Sequence, residues 1–506
     1  MAAFKSTATS AVALSIFMTG SAAFADVTAE QVWEDWKGYM AGFGYQVEAT
    51  ESQSGDALVV SDVKMSVSIP EEDADVSFTM SEMTFTNNGD GTVSISLPPV
   101  MPISGVATGE GETIKFDLEY ATDAFDMTVS GDASEMTYDY TAALAKISLV
   151  SIEADGESPD LGTLELSVAD IAGQSIMKVG GVRETSQQMT TGEVSYTIDM
   201  APPEEEGHVK LIGSAESMGF QGTGSFPANM DPTDMSAMLA AGFAFDGGFE
   251  MGAGSSEFSF SGDGSTLEGT SSSGPGVAMV AMDADKLNYD VRAQDVDVNV
   301  KSSDLPFPVQ FTFGEYAAKF LMPVSQSEEA QEFGLALTFG DFTMSDMIWG
   351  MFDPSGQLPR DPATVSFDLS GTAKMLVNLM DPEQMEAIES GETMLGELDS
   401  MNLNNLVISL AGAELTGEGA FTFDNEDLES FGGMPAPAGA MDLKLVGGNG
   451  LLDKLVAMGF VPEDQAMGAR MMMGLFAIPG EGDDTLTSKI EVTEDGQVLA
   501  NGQRLK

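Results

Sequence analysis

The sequence predicts a mainly β fold with interspersed helices (α+β): extended, curved antiparallel sheet with several helices packed on it. Three observations carry this. Apolar and polar residues alternate with a period of two over many stretches. Turn signals rich in Gly, Asn and Asp separate those stretches at short intervals. A few segments instead repeat apolar residues at helical spacing behind recognisable caps.

The first of those helices has the clearest signature. Thr28 is the N-cap and Gln31 stands at N3, making a capping box, with Val27 and Val32 as a hydrophobic staple. Val32, Trp36, Met40 and Phe43 then recur on one side, and Gly42 or Gly44 ends the run. Trp33 and Trp36 point to docking on a core.

From Ala57 the period becomes two. Val63-Met65-Val67-Ile69, Val76-Phe78-Met80, Val93-Ile95-Leu97, Ile114-Phe116-Leu118-Tyr120, Met136-Tyr138-Tyr140 and Val194-Tyr196-Ile198-Met200 each read as a strand with one wet face. Turns such as Asn87 to Gly91 and Ser130-Gly131-Asp132 join them as antiparallel meanders. A second helix is expected with Asp231 as cap, Pro232 at N1, Asp234 in the first turn and Gly242 as stop. Strands resume at Phe243-Phe245, Phe258-Phe260, Leu287-Tyr289-Val291 and Val296-Val298-Val300, with Ser261 to Gly276 read as a flexible Ser/Gly loop. A third helix covers about Ser345 to Phe352. Further on, Val365-Phe367-Leu369 and Ala373 to Leu379 read as two strands, followed by a helix at Asp381-Pro382-Glu383. Leu406 to Leu410, Ala420 to Phe423 and Met441-Leu443-Leu445 read as strands, Leu451 to Met458 and Glu463 to Phe476 as helices. A hairpin of Leu486 to Val492 and Val498-Leu499 turns at Asp495-Gly496.

This divides the chain into a leader (1–25), an N-terminal helix plus antiparallel β region (26–225), a helix plus middle β region (226–355) and a C-terminal α+β region (356–506). Helices precede sets of strands near residues 30, 231 and 345, and Thr233-Asp234-Met235 matches Ser345-Asp346-Met347, a faint sign of duplication.

The leader combines Lys5, the apolar stretch Ala11 to Met18 and the small-residue end Ala23-Phe24-Ala25, the layout of a secretory signal. Cleavage is expected between Ala25 and Asp26, placing the mature chain in the periplasm, or else outside the cell or on its surface. The apolar stretch is about half the roughly 20 residues a spanning helix needs, so no transmembrane anchor is expected in the mature chain. An outer-membrane barrel is disfavoured by several clear helices and by only 3 Trp and 8 Tyr.

Charge excludes partners. With 81 acidic and 20 basic residues the net charge is −61, and loss of Lys5 makes it −62. Such a chain will not bind nucleic acid by neutralising phosphates, and anionic membranes repel it. The acidity reads chiefly as a solvating surface for a salty medium.

The chemistry that is missing is informative. There is no Cys, which removes thiol catalysis, thiolate metal sites and disulfides. The one His, His208, follows the acidic Pro202 to Gly207 segment and reads as a solvated loop residue. No nucleophile elbow, phosphate loop or dinucleotide fingerprint occurs. No catalytic residue, metal ligand set or cofactor is therefore assigned. Paired carboxylates leave a glycosidase open, and Asn88 to Gly91 and Asp424 to Asp427 read as turns first and calcium sites second. The 35 methionines include Met467, Met471, Met472 and Met473; spacing with Leu475 reads as core or a greasy groove, with Cu(I) binding the lesser alternative.

The segments DVTAEQVWEDWKGYMAGFGY from Asp26, DPTDMSAMLAAGFAFDGGF from Asp231, Gly340 to Thr364, Gly439 to Arg470 and the closing LANGQRL resemble an exported alphaproteobacterial family known as domain of unknown function 2125. The resemblance covers nearly all of the mature chain. It implies a signal-bearing envelope protein and brings no catalytic residues with it. The layout is also similar to that of AsmA-like periplasmic proteins, which implies a long groove for lipid. The expected function is thus non-catalytic: binding or transferring lipid-like molecules on an apolar sheet face, its lining residues not assigned. The alternatives are an interaction module with calcium in acidic turns, and a carboxylate glycosidase.

Overall fold

The structure, a computed structural model, describes residues 26–69, 74–109, 112–154, 162–201, 207–228, 230, 234–262 and 264–505. The leader with its expected Ala25 cleavage residue, the Pro202 to Glu206 stretch, and Asp231 and Pro232 lie outside those residues.

The chain is mainly β. It begins with α1 (Ala29–Gly42), β1 (Gln46–Ser54), β2 (Ala57–Ile69), β3 (Ala74–Asn87), β4 (Val93–Ser96), β5 (Val100–Gly109), β6 (Glu112–Asp123) and β7 (Asp126–Asp132). β8 (Glu135–Ala154), β9 (Gly162–Lys178), β10 (Val182–Thr191), β11 (Val194–Met200), β12 (His208–Ala215) and β13 (Met218–Pro227) lead to α2 (Met235–Ala240). Then come β14 (Ala244–Met251), β15 (Gly254–Gly262), β16 (Ser265–Ser273), β17 (Gly276–Met282), β18 (Lys286–Ser302), β19 (Val309–Pro323) and β20 (Gln331–Met344). The rest is α3 (Asp346–Phe352), β21 (Ala363–Met375), α4 (Pro382–Glu389), β22 (Gly396–Leu410), β23 (Ala413–Asp424), β24 (Ala436–Val446), α5 (Gly448–Ala457), α6 (Glu463–Phe476), β25 (Ile478–Pro479), β26 (Thr485–Val492), β27 (Val498–Ala500) and β28 (Gln503–Arg504).

Antiparallel pairing joins these strands into one sheet. Long strands alternate with places where two short strands lie end to end. β3 pairs its Asp75–Met80 part with β5 and its Thr84–Asn87 part with β4. Two lanes result, β4–β7 and β5–β6, which rejoin on β8. β9 forks again, into β10–β13–β14–β17 and β11–β12–β15–β16, and both lanes end on β18. Each fork has the same number of strands in its two lanes, so the sheet closes back without a gap. Beyond β18 it runs on through β19 to β24, β26, β27 and β28. At about 4.8 Å per strand it extends on the order of 100 Å along its own surface.

The seam between lanes is marked by residues in the left-handed region. Asp62, Asp170, Asp295 and Asp341 have φ between 49° and 52°, a conformation that Asp tolerates better than most residues. Asp170 opposes Ala143, and Asp295 and Asp341 both oppose Gly314; pairing lapses there for one row at Asp170 and Asp295 and for two at Asp341, and resumes in register. The alternation slips by one residue there, which keeps apolar side chains on one face. Val60 and Val63, on either side of Asp62, belong to one core cluster. Phe339 and Phe342, on either side of Asp341, both contact Phe313, at 5.9 and 5.1 Å between ring centres.

The tight core lies at the N-terminal end, where α1 covers β2, β3, β4, β7 and β8. Val27, Val32, Trp33, Leu58, Val60, Phe85, Val93, Val129 and Met136 are buried there. The capping box forms as expected: Gln31 N–H donates to Thr28 Oγ1 at 3.3 Å, and Thr28 N–H to Gln31 Oε1 at 3.0 Å. Trp33 Nε1 donates to Glu51 Oε1 at 2.7 Å, so the indole is buried without losing its hydrogen bond.

Several local expectations are corrected. Ser261 to Gly276 is not a loop but largely the β15–β16 hairpin; its small side chains fit the sheet, as the Ser256–Ser271 hydroxyl pair at 2.6 Å shows. α2 is capped by Asp234, whose Oδ1 accepts Ala237 N–H at 2.8 Å, so the helix starts later than Pro232 suggested. Val365 to Met375 is one strand, and 376–379 leaves the sheet as Asn378 turns to accept from Met380 N–H. His208 is not a loop residue: it opens β12 and lies 2.7 Å from Asp199 on β11.

Candidate functional site: an open apolar sheet face

Residues directly opposite in antiparallel strands share a face, so register alone traces the surface. One row runs Phe85–Ile95–Met127–Tyr140–Gly173–Met189–Phe220–Phe249–Ala278–Val291. It continues Ala318–Leu337–Phe367–Leu406–Gly417–Leu443. All are apolar or Gly. The other lane is apolar through Met65, Phe78, Gly105, Phe116 and Ile152, and then Leu166, Tyr196 and Gly213, before it crosses the Ser256–Ser271 hydroxyl pair to Val298.

The opposite face is polar. One residue along from the first row lies Thr86–Ser94–Thr128–Asp139–Gln174–Gln188–Gln221. Separation of the faces follows from strict alternation, re-phased at the seam aspartates.

Among the described helices, α1 covers the main buried cluster of the apolar face, and α2 buries Met238 and Leu239. Beyond them, Phe249, Phe260, Leu267, Tyr289, Leu335, Val365 and Ile408 are each 37–47% exposed, and all point to the apolar side. Contiguous exposed apolar surface on this scale marks an interaction site in soluble proteins.

Glycines shape its floor. Gly105 lies under the Phe116 ring, Gly173 under Tyr140, Gly213 under Tyr196, Gly269 under Phe258 and Gly371 under Phe333; a Cβ at any of them would overlap the ring. The aromatic rings therefore lie flat across the neighbouring strand. Burial raises the phenol pKa of Tyr120 and Tyr140 above its ordinary value, as expected for rings set in apolar surroundings.

The helices differ in how much they cover. α1 is tied to the sheet by Arg183 on β10, whose Nη2 lies 2.7 Å from Asp35 Oδ1. Phe43 at its end stacks on Phe226, and Phe226 on Phe243, carrying the contact to α2. The α6 methionines correct the core expectation drawn from their spacing: Met467 and Met471 are 67% and 73% exposed, and Met472 and Leu475 are exposed as well. The i, i+4 stripe exists but no sheet lies beneath it.

The acidic turns are built as turns. Asp90 accepts from Thr92 N–H and Oγ1–H, which holds its carboxyl below the ordinary range. Asp424 accepts from Glu426 N–H. Among the described residues no three His, Asp or Glu side chains converge as a metal would require. No described helix is long and apolar enough to cross a membrane.

No protein-family model, curated protein or solved structure matches this chain. The resemblances drawn from the sequence rest on the quoted segments and the layout alone.

Proposed function

We propose that this chain is an exported, non-catalytic protein of the bacterial periplasm that holds lipid-like molecules along the apolar face of its sheet. The observation that carries the proposal is the unbroken apolar row from Phe85 to Leu443, open to solvent beyond α1. Apolar chains gain about 25 cal/mol per Å² of surface removed from water and need no directional partner. The row supplies that and little else, since its directly opposed positions carry no charge. A second copy is the poorer occupant: two chains of net charge −61 repel each other. The leader at residues 1–25 supports export, and the family resemblance drawn from the sequence supports a place in the envelope.

Native mass spectrometry of the purified protein, followed by organic extraction, tests the proposal. Co-purifying acyl lipid in repeated preparations is expected, with less of it in Phe249→Asp and Leu337→Glu. Ligand-free spectra across independent preparations would overturn it.

A further inference from the structure

The polar face, opposite the apolar one, carries an aligned row of amides. Gln174 on β9, Gln188 on β10 and Gln221 on β13 stand directly opposite one another in adjacent strands. They form a ridge between two hollows of about 510 and 500 Å³, and all three line both. Both are shallow and open to solvent, the form of a surface that a chain lies across rather than a cavity that encloses a small molecule. The first hollow has a low floor where Gly219 turns toward this face with no side chain to fill it.

The ridge is unevenly satisfied. Gln174 Nε2 donates to Asp139 Oδ1 at 2.7 Å, which orients that amide. Gln188 and Gln221 are exposed, and their amides have no partner among the described residues. Each carboxamide offers one acceptor and two donors. Thr190 and Glu250 flank the first hollow, and Ser186 and Asp246 the second.

This chemistry selects a ligand class. Among the described residues no Lys or Arg lines either hollow, which disfavours phosphates and other anions. The exposed amides disfavour acyl chains, whose contact would leave them unpaired. Asp246 and Glu250 lie four residues apart on β14, about 13 Å, too far to grip one cation together. What fits alternating donors and acceptors on an open ridge is a run of hydroxyl groups. We propose that the outward face of β9, β10 and β13 binds a neutral oligosaccharide lying across the Gln174–Gln188–Gln221 ridge.

Isothermal titration with maltohexaose, cellohexaose, laminarihexaose and mannohexaose tests this, with alginate hexamer and spermidine as charged probes. At least one neutral hexamer is expected to bind with a Kd below about 1 mM. Gln188→Ala with Gln221→Ala should weaken it about tenfold or more, since each lost hydrogen bond is worth up to about that factor. Both side chains are exposed, so an unchanged melting temperature and circular dichroism spectrum should show that the variant folds. Lipid content is read in the same samples and should not change. Absence of binding by every neutral hexamer, binding unaffected by the double variant, or binding of only alginate or spermidine would each overturn the proposal.

Discussion

Asp35 on α1 and Arg183 on β10 form a nearly buried ion pair, with side chains 4% and 13% exposed and 2.7 Å between Oδ1 and Nη2. They are far apart in sequence, and their contact fastens the helix that covers the main buried cluster of the apolar face. The Tyr138 hydroxyl donates to Asp35 Oδ2 at 3.4 Å. Asp35 Oδ1 has no aligned hydrogen bond, so its attraction to the guanidinium is chiefly Coulombic. Burial, and then the Asp35 charge, drives the Tyr138 pKa well above that of an ordinary phenol, so this hydroxyl stays a donor.

Breaking that pair leaves a buried charge without a partner. Arg183→Met and Asp35→Asn should each cost about 3–5 kcal/mol of stability. The double variant Asp35→Leu with Arg183→Met should recover most of the loss, because no charge remains buried. Denaturant unfolding followed by Trp fluorescence measures all three, Trp33 and Trp36 lying on the same helix.

The seam aspartates make a backbone prediction. Asp170 has φ +49°, which Gly adopts without strain and a β-branched residue does not. Asp170→Gly should change stability by less than about 1 kcal/mol, whereas Asp170→Val should lose about 2 kcal/mol. Chemical denaturation of the two variants checks the difference. Equal losses in both would mean that the Asp side chain matters more than its backbone.

The same seam explains which parts of the fold are legible in the sequence and which are hidden. The run Val63 to Ile69 reads plainly as a strand, but Leu58 and Val60 are out of phase with it and drop from view, because Asp62 shifts the alternation inside one continuous strand. The capping box at Thr28 and Gln31 is fully legible, since all its atoms lie within one turn. The spacing of Met467, Met471 and Leu475 is legible too, but spacing cannot say whether anything lies underneath. Ser261 to Gly276 misleads because Ser and Gly serve loops and close-packed strands alike. An apolar face is foreseeable from alternation. Its continuity is not, nor is the alignment of Gln174, Gln188 and Gln221, because register between strands is set by contacts that no local pattern records.

Gly173 tests the floor of the apolar face. Its added Cβ would meet the Tyr140 ring, which has few other places to go inside the sheet. Gly173→Val should cost about 1–3 kcal/mol through overpacking. Gly173→Val with Tyr140→Ala should regain part of this, since the clash is removed. Comparing the melting temperatures of the single and double variants measures the coupling.

Asp484 yields a pH prediction. Gly447 is the N-cap of α5 and has no side chain to cap it, and Asp484 supplies the cap instead. Its Oδ2 accepts Gly450 N–H at 2.8 Å, and its Oδ1 accepts Asn449 Nδ2–H at 2.9 Å. Partial burial pushes the carboxyl pKa up, but these donors outweigh it and hold the pKa below its ordinary value. A depressed carboxyl pKa means that the folded state favours the ionised form. The resulting stabilisation is complete above the unfolded pKa of about 3.9 and fades as pH falls through the lower folded value. Asp484→Ala should therefore be less stable than the parent by about 1 kcal/mol at neutral pH. The gap should narrow below about pH 4, where the parent's carboxyl begins to protonate. Melting curves of both proteins from neutral to acidic pH would show it; a gap that stays constant or widens toward low pH would mean that Asp484 does not cap α5 as a carboxylate.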